Sequence, residues 1–523
     1  MSAQHEDALR RLIPRWRYVQ GSSVPAETIA DHQEVSKDRF DNLYWEKRLR
    51  AWGENPTVGS AADLVACGVA LRRYAEVEQP ALFLTTHAAE IRRETASLAI
   101  FAELQLHPQR AVHVQSTSES RQIAPDQEAQ MRVSQNRARL RDDPRDSLAW
   151  MDMALAYTIL GQTLSAERAM QRALMLAGDN RLILRSACRR LVHIGDTGAA
   201  HRLLASHPRT PQDPWLLAAE IALADIIGKP SKLTRRALGL LESKRFLSSA
   251  TTELSGALGM LEYSHGSDRK ARQLIRQSLI LPTENSVAQA RWVAARMTGI
   301  DISASAWDTP RSFEAWSWRA FNAAEWFDAY GYAKAWVRDE PYSSRAAINA
   351  TFIAETIFDD HTYAIACADQ VLRADANDMM LRNNLVVALA REGEVGRATQ
   401  EFETLQKRVS AASPESTYVA THGLIKYRNG DIEAGRALYQ EALESAPSNR
   451  KLAVLTHWLR EEIDSRRFNA TETIEKLQNI AQSQKDLVSL RLLENMKVRS
   501  SSDPHQEAIR ILDSAMNRSL ITR

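Results

Sequence analysis

The sequence predicts an all-α fold in which helix-turn-helix units stack into an elongated array. Its 523 residues exceed the roughly 250–300 residues that one hydrophobic core usually serves, which favours several domains or a stack of repeats. Apolar residues recur with a helical period along most of the chain, and Gly, Pro, Asn or Asp interrupts them roughly every 15 to 20 residues. Alternating runs of the kind that form strands are essentially absent.

An internal repeat favours the stack over separate domains. Equivalent residue types recur at a spacing of 34 residues, which is the length of one helix-turn-helix unit. The pairs are Gly161 and Gly195, Ala166 and Ala200, and Met170 and Leu204.

The unit at 147–180 carries the clearest motif. It places Trp150, Met153, Ala154, Tyr157, Gly161, Ala166, Met170 and Ala173 along two helices and the turn between them. This set resembles the tetratricopeptide repeat, whose pattern is W-x2-L-G-x2-Y, then A-x3-F, then P. The stretch 430–449 is similar to the family as well, with Gly430, Tyr439, Ala442 and Pro447. The resemblance implies a right-handed α-solenoid whose first helices line a concave groove.

We divide the chain into five regions. Residues 1–37 are expected to be poorly ordered or a short helix, and 38–107 form a divergent helical region, either degenerate repeats or a separate domain. The Ser-, Thr- and Gln-rich segment 108–126 is the linker candidate. The repeat array spans 127–449, and the helices of 450–523 cap it, because a terminal repeat needs one polar face. Those last helices are expected at 452–463, 470–483, 486–498 and 506–520.

Composition limits the classes of partner and the compartment. Hydrophobic residues make up 44% of the chain and charged residues 25%, and we find no apolar stretch of the roughly 20 residues that a membrane span needs. The amino terminus has early charges of both signs and no apolar leader segment, so we expect a cytoplasmic protein without a membrane partner. The net charge of +2 is too small to indicate nucleic acid by itself, and any basic surface is local.

The sequence favours a protein that is not an enzyme and uses neither cofactor nor metal. It contains no phosphate-binding glycine loop, HExxH, CxxC or GxSxG element. Asp359, Asp360 and His361 carry metal-binding chemistry, but in repeat register they lie in a turn where Asp caps the next helix.

The three cysteines, Cys67, Cys188 and Cys367, are interpreted as buried packing residues. Cys188 has His193, His201 and His207 nearby in sequence, but the spacing matches no standard zinc ligand set.

An aromatic cluster is the most unusual local composition. The segment 307–336 holds five of the twelve tryptophans. Phe313, Trp316 and Trp336 fit the interface of a helix pair, and the others are either core or binding surface. By the resemblance, the first helices present a groove lined by Arg311, Trp318, Phe321, Asn322, Arg345, Asn349, Phe352, Asn383, Asn384, Arg391, Tyr427 and Arg428.

This groove predicts a scaffold or adaptor that binds another protein or an extended peptide. Aromatic rings anchor side chains, Asn bonds to a peptide backbone, and Arg binds carboxylates. The set is similar to the carboxylate clamps of repeat domains, although their order of residues is not reproduced. The alternative is a nucleic-acid-binding protein or a regulatory subunit of a complex whose catalytic partner is a separate chain. The arginine-rich stretches 132–145 and 232–245 carry that alternative, but they are typical of solvated helices. The sequence does not define the oligomeric state.

Overall fold

The fold is described from a computed structural model of the chain. It describes residues 16–18, 40–71, 73–87, 95, 99, 102, 125–243, 245–408, 415–466, 470–499 and 512. Within these ranges the regular elements are 25 α-helices and a few 3-10 turns, with no strand. None of the helices found there is long and apolar enough to cross a membrane.

The helices are numbered in chain order. The first three are α1 (Phe40–Glu54), α2 (Val58–Leu71) and α3 (Glu78–Thr86). They are followed by α4 (Pro125–Asp142), α5 (Ser147–Ile159), α6 (Thr163–Ala177), α7 (Arg181–His193), α8 (Thr197–Ala205), α9 (Pro214–Ile226), α10 (Thr234–Glu242), α11 (Ser248–Ser264), α12 (Asp268–Gln277), α13 (Glu284–Ala294) and α14 (Ala304–Trp307). The remaining helices are α15 (Phe313–Asn322), α16 (Trp326–Asp339), α17 (Ser344–Ile357), α18 (His361–Ala374), α19 (Met379–Glu392), α20 (Val395–Gln406), α21 (Ser416–Arg428), α22 (Ile432–Ser445), α23 (Lys451–Arg466), α24 (Thr471–Gln484) and α25 (Leu487–Arg499).

The chain divides into two compact units. Unit 1 comprises residues 1–158 and 162–315, and unit 2 comprises 159–161 and 316–523. In unit 1 the first helices of successive pairs begin at Ser147, Arg181, Pro214 and Ser248. In unit 2 they begin at Ser344, Met379, Ser416 and Lys451. These starts are 33 to 37 residues apart, so the predicted all-α array of helix-turn-helix units is confirmed.

The turns inside the pairs use a short sequence signal. Gly195 and Gly430 adopt left-handed backbone angles, with φ of 84° and 83°, which glycine reaches without steric cost. The next residue in each case is an aspartate that caps the second helix: Asp196 accepts a hydrogen bond from the amide of Ala199 at 2.9 Å, and Asp431 accepts one from Ala434 at 3.3 Å. Glycine followed by aspartate therefore ends one helix and begins the next.

The turn at Asp359 follows the same geometry without glycine. Asp359 itself takes the left-handed conformation, with φ of 55°. Asp360 then caps α18 by accepting a hydrogen bond from the amide of Tyr363 at 3.1 Å. The predicted capping role in this turn is confirmed.

Small residues let paired helices approach closely. In the pair α21 and α22, a methyl group added at Gly435 would lie 2.5 Å from a ring carbon of Tyr427. It would also lie 3.2 Å from the carbonyl oxygen of Gly423. Both glycines are therefore needed for the crossing, because the Tyr427 ring and the facing backbone occupy the space of a side chain.

After residue 37, the described parts of the two end regions are mostly helical. In 38–107, α1 to α3 enclose a small core that includes Leu64, Val77 and Leu84. Of residues 1–37 only 16–18 are described: Trp16 is buried, and Arg17 forms an ion pair with Glu284 of unit 1 at 2.7 Å. The linker candidate lies outside the described residues, except for Pro125 and Asp126, which begin α4.

The carboxyl-terminal helices α23, α24 and α25 lie close to the expected bounds. The fourth expected helix, 506–520, lies outside the described residues apart from Leu512, which belongs to the hydrophobic core of α22 to α25. That core centres on Trp458, whose ring stacks on Tyr439 with 6.0 Å between ring centroids.

Candidate functional site

Four aromatic side chains meet where α15, α16 and α17 approach one another in unit 2. The centroid of the Phe321 ring lies 5.7 Å from that of Trp318, 5.4 Å from Trp326 and 6.2 Å from Phe352. All four side chains are only partly buried. We call this set the aromatic cluster. It brings together three residues of the predicted groove, Trp318, Phe321 and Phe352.

A second group of rings lies at the neighbouring turns. The Phe327 ring contacts that of Phe358 at 5.1 Å, and Phe358 stacks on Tyr330 at 5.0 Å. Phe327 is 79% exposed, whereas Tyr330 is buried and donates a hydrogen bond to Asp360 at 2.8 Å. We call Phe327, Tyr330 and Phe358 the aromatic edge.

The aromatic edge was missed by the sequence analysis for a physical reason. Phe327 lies next to Trp326 in a segment where packing explains most rings, so composition does not separate an exposed ring from a buried one. Phe358 stands alone in sequence, at the end of α17, and its contact with Phe327 joins residues that are distant in the chain.

Burial and hydrogen bonding hold the anchor of the aromatic edge. Burial, followed by the hydrogen bond to Asp360, raises the pKa of the Tyr330 hydroxyl above its usual value. The ammonium group of Lys334 lies 4.1 Å from the centroid of the same ring, and burial lowers the pKa of this lysine. The Tyr330 hydroxyl is therefore a neutral hydrogen-bond donor in a fixed position. The exposed Phe327 ring packs on Phe358, which stacks on Tyr330.

The predicted groove asparagines tie first helices together. Asn349 is buried and donates a hydrogen bond to Ser317 at 2.7 Å, which joins α17 to α15. Asn384 donates to Thr351 at 3.0 Å and joins α19 to α17. Asn383 is also buried. The Asn349 and Asn384 amides join successive first helices, and Asn349 is not available to a peptide backbone.

The other predicted polar residues lie apart from that ladder of amides. Asn322 ends α15 and is exposed. Arg345 places its guanidinium 5.8 Å from the centroid of the buried Trp336 ring. Arg311 is exposed in the turn before α15, has φ of 61°, and belongs to unit 1. Of the twelve predicted residues, the structure places Trp318 and Phe352 in contact through the Phe321 ring.

Arg391 and Arg428 bind carboxylates of the chain itself. Arg391 pairs with Glu355 on α17 and with Glu461 on α23, the latter at 3.2 Å. Arg428 pairs with the same Glu461 at 2.6 Å and with Asp464 at 3.0 Å. Glu461 is fully buried. The expected chemistry, arginine on carboxylate, is present, but α23 supplies the acid that we had assigned to a partner.

Tyr427 belongs to the same buried network. Its hydroxyl donates to Glu462 and accepts a hydrogen bond from the Trp458 indole at 2.9 Å. Arg436 donates to both oxygens of Glu462, at 2.7 and 3.0 Å. Burial raises the pKa of Glu462, but the hydrogen bonds from Arg436 and Tyr427 outweigh it and hold the pKa below its usual value. We call the residues Arg391, Tyr427, Arg428, Arg436, Arg460, Glu461 and Glu462 the charge network.

The charge network corrects the assignment of Arg391, Tyr427 and Arg428 to an open groove. Because these side chains pair with carboxylates of α23 and α17, a partner would have to displace buried ion pairs to reach them. The signal in the sequence is the run 460–464, which holds four charged residues directly after the mostly apolar stretch 452–459.

The last helix, α25, also packs on this side of unit 2. Asn495 donates a hydrogen bond to the carbonyl oxygen of Ile357 at 3.1 Å, which fixes α25 to the end of α17. Arg460 of α23 reaches Asp359 in the next turn at 2.6 Å. The carboxyl-terminal helices are therefore bound to the first helices of unit 2 as well as to the preceding pair.

One histidine makes the charge network sensitive to pH. Arg391 donates to Nδ1 of His457 at 3.3 Å, which requires a neutral ring. Burial, together with the charges of Arg391 and Arg460, lowers the pKa of His457 to about 3. In the unfolded chain this histidine binds a proton near pH 6.5, whereas in the folded chain it stays neutral down to about pH 3. Its contribution to the free energy of unfolding is therefore fully present above pH 6.5 and is lost as the pH falls toward 3.

We expect the free energy of unfolding to fall by about 2 kcal/mol as the pH is lowered from 6.5 to 5, because this histidine becomes protonated in the unfolded chain only. His457→Gln should remove that loss, because the amide does not titrate. The measurement is urea unfolding at pH 7 and pH 5, with the exposed His265→Gln as the control. An unchanged pH dependence in the His457 variant would contradict the assignment.

Two of the three cysteines, Cys188 and Cys367, are buried as expected, whereas Cys67 is only partly buried. Cys188 is fully buried and donates weakly to the carbonyl of Ala200 at 3.8 Å, and burial raises the pKa of its thiol. Burial raises the pKa of the Cys367 thiol to about 12. Neither is a thiolate at neutral pH. In the described ranges no group of three or more His, Cys, Asp and Glu side chains has a metal-binding arrangement.

Comparison with known proteins finds solved structures of low sequence identity. No protein-family model matches the chain, and no curated protein matches its sequence. A tetratricopeptide repeat protein from Parabacteroides merdae is 13% identical, with 53% of this chain and 97% of that chain covered and a TM-score of 0.25. The APC/C hetero-tetramer Cut9–Hcn1 is 12% identical, with coverage of 91% and 94% and a TM-score of 0.35. Yeast Tom70 is 13% identical, with coverage of 88% and 96% and a TM-score of 0.28.

These superpositions are too loose to carry an argument about function. The assignment of fold rests instead on the helix pairs, the glycine-aspartate turns and the regular spacing of the first helices. The helix pairs resemble tetratricopeptide repeats in their length and spacing.

Proposed function

We propose that this chain is a non-catalytic scaffold that binds a partner protein through the aromatic cluster and the aromatic edge of unit 2. The observation that carries the proposal is the exposure of Phe327, a large ring that is 79% exposed and held by Phe358 and Tyr330. An exposed aromatic ring on a rigid support is typical of the anchor residues that dominate protein interfaces.

The proposed surface is narrower than the groove expected from the sequence. Trp318, Phe321 and Phe352 keep their role as a binding surface, since they are partly exposed and lie in contact with one another. Asn322, which follows Phe321 and is exposed, supplies a polar group at its rim. Arg391, Tyr427 and Arg428 are left out, because their partners are internal.

The chemistry of this surface favours a segment with apolar or aromatic side chains. Rings pack against apolar side chains edge-on or offset, and such contacts need no charge on the partner. The surface therefore fits a protein segment with hydrophobic anchors better than the acidic peptide that an arginine-lined groove would take.

The test uses a single exposed side chain, so that the fold is left intact. Phe327→Ala should lower the recovery of a defined partner in affinity purification by at least about tenfold, as for an interface anchor. Leu164→Ala is the matched control, because Leu164 is 75% exposed on α6 of unit 1. Both variants should keep the wild-type helical circular dichroism. Equal recovery with Phe327→Ala and wild type would refute the aromatic surface.

A further inference from the structure

Helix α12 in unit 1 carries three arginines on its solvent side. Its other side is apolar, with Ala271 and Ile275 fully buried. Arg269, Arg272 and Arg276 follow at intervals of three and four residues, which places them along one line of the helix. Arg269 and Arg276 are exposed, and Arg272 is partly exposed.

These arginines lack the acidic partners that other arginines of unit 1 have. Arg181 and Arg185 bind buried Asp213 and Glu253 at 2.6 and 2.5 Å. In the described part of the chain, no carboxylate lies within ion-pair distance of the three arginines of α12.

Two of the α12 arginines donate to backbone oxygens instead. Arg272 donates to the carbonyl of Asp268 at 3.2 Å, and Arg276 donates to that of Gly299 at 2.6 Å. A neutral carbonyl orients a guanidinium without cancelling its charge.

The arginines surround a cavity. It has a volume of about 500 Å³ and is lined by Arg269, Arg272, Gln273, Arg276 and Gly299. Gly299 is left-handed, with φ of 83°. A methyl group added there would lie 3.9 Å from a terminal nitrogen of Arg272 and 3.9 Å from one of Arg276. The two guanidinium groups therefore converge on one opening, where their mutual repulsion favours a bound anion.

Exposed aliphatic side chains follow α12 in the chain. Ile280 lies four residues after Arg276 and is 61% exposed, and Leu281 is 52% exposed. The backbone oxygen of Leu281 accepts a hydrogen bond from Thr252 at 3.0 Å, which holds this segment beside the start of α11. Leu247, the residue before α11, is 56% exposed. Two of these exposed aliphatic residues thus follow the basic helix α12 directly in the chain, and the third precedes α11.

We infer that this part of unit 1 is a second docking site, for an acidic segment of another protein that also carries aliphatic side chains. Its carboxylates would enter the cavity and accept charge-assisted hydrogen bonds from Arg272 and Arg276. Its aliphatic groups would cover Leu247, Ile280 and Leu281. Nucleic acid would satisfy the arginines, but it offers little contact to aliphatic side chains, so a protein segment fits the whole surface better.

The inference is independent of the aromatic surface of unit 2 and is tested with a separate probe. The probe is a fluorescein-labelled peptide of alternating Glu and Leu, bound to the full chain and followed by fluorescence anisotropy. Arg272→Gln combined with Arg276→Gln should raise the Kd at least about tenfold. The control is Arg168→Gln combined with Arg172→Gln, which removes two exposed arginines of α6 and should leave the Kd unchanged. If both double variants raised the Kd of the peptide equally, the effect would come from net charge alone, and the proposed site would be wrong.

Two further arms separate the alternatives. Leu247→Ser combined with Ile280→Ser should raise the Kd of the Glu-Leu peptide several-fold, but should leave the Kd of a poly-glutamate peptide unchanged. A single-stranded oligothymidine should bind more weakly than the Glu-Leu peptide at the same salt concentration. If the oligonucleotide bound more tightly than the peptide, and if the Arg272 and Arg276 changes abolished that binding, the ligand would be a nucleic acid and the proposed protein segment would be wrong. Unaltered thermal melting of each variant excludes unfolding as the cause.

Discussion

Replacing Glu462 by alanine is expected to destabilise unit 2 by about 3–5 kcal/mol, the cost of leaving a buried charge without its partner. Glu462 is fully buried and accepts hydrogen bonds from Arg436 and Tyr427. The change leaves the Arg436 guanidinium, which is 6% exposed, without its buried partner. It also removes the acceptor of the Tyr427 hydroxyl. Hydrogen exchange of α21 to α23 measures the loss directly.

The matched control uses the other carboxylate that binds the same arginine. Glu433 pairs with Arg436 at 2.9 Å, but its side chain is 78% exposed. Because exposed ion pairs contribute about 0–1 kcal/mol to stability, Glu433→Ala should change the hydrogen-exchange rates of α21 to α23 only slightly. Similar effects of the two substitutions would show that the buried network does not control the stability of unit 2.

The second large effect is expected in unit 1. Arg185 and Glu253 form a buried ion pair at 2.5 Å, with each side chain 2% exposed. Glu253 also accepts hydrogen bonds from Asn285 at 3.1 Å and from Thr283 at 3.3 Å. Arg185→Ala should lower the free energy of unfolding by about 3–5 kcal/mol, since it leaves a carboxylate in an apolar core. Urea unfolding followed by circular dichroism measures it.

A double variant separates the charge from the packing. Arg185→Met with Glu253→Gln removes both charges, fills the volume of the arginine stem and keeps an acceptor for Asn285. It should recover most of the stability lost in Arg185→Ala, because a neutral pair costs less to bury than a lone charge. A double variant as unstable as Arg185→Ala would assign the loss to packing alone.

The fold was predictable because it follows from local rules. Apolar periodicity defines the helices, and Gly195 and Gly430, each followed by aspartate, define turns. Small residues such as Ala154 and Ala166 indicate where helices cross. Each of these signals acts within about one repeat, so a single sequence is enough to detect it.

The site was predictable only in part, since it depends on contacts between distant residues. Trp318, Phe321 and Phe352 were found because they lie on successive first helices at similar positions. The pairing of Arg391 with Glu461 joins residues 70 positions apart, and no local pattern reveals it. The same holds for the cavity at Gly299, which forms only when the turn after α13 packs on α12.

The charge network also explains why a resemblance to a family is a poor guide to groove chemistry. Arginine and asparagine on first helices are compatible with binding a partner's carboxylate or with holding the chain's own carboxyl-terminal helices. The choice depends on whether acidic residues elsewhere in the chain reach them. Here Glu355 and Glu461 do, so the arginine holds the chain's own helices together.

The most direct test of the proposed scaffold places a photo-crosslinker on the aromatic edge. p-Benzoylphenylalanine at position 327 of the full chain should crosslink to a defined partner on irradiation. The same group at position 164, equally exposed in unit 1, should not. A crosslink to one protein from position 327 alone is the result that our account predicts. Crosslinks of the same proteins from both positions, or none from position 327, would contradict it.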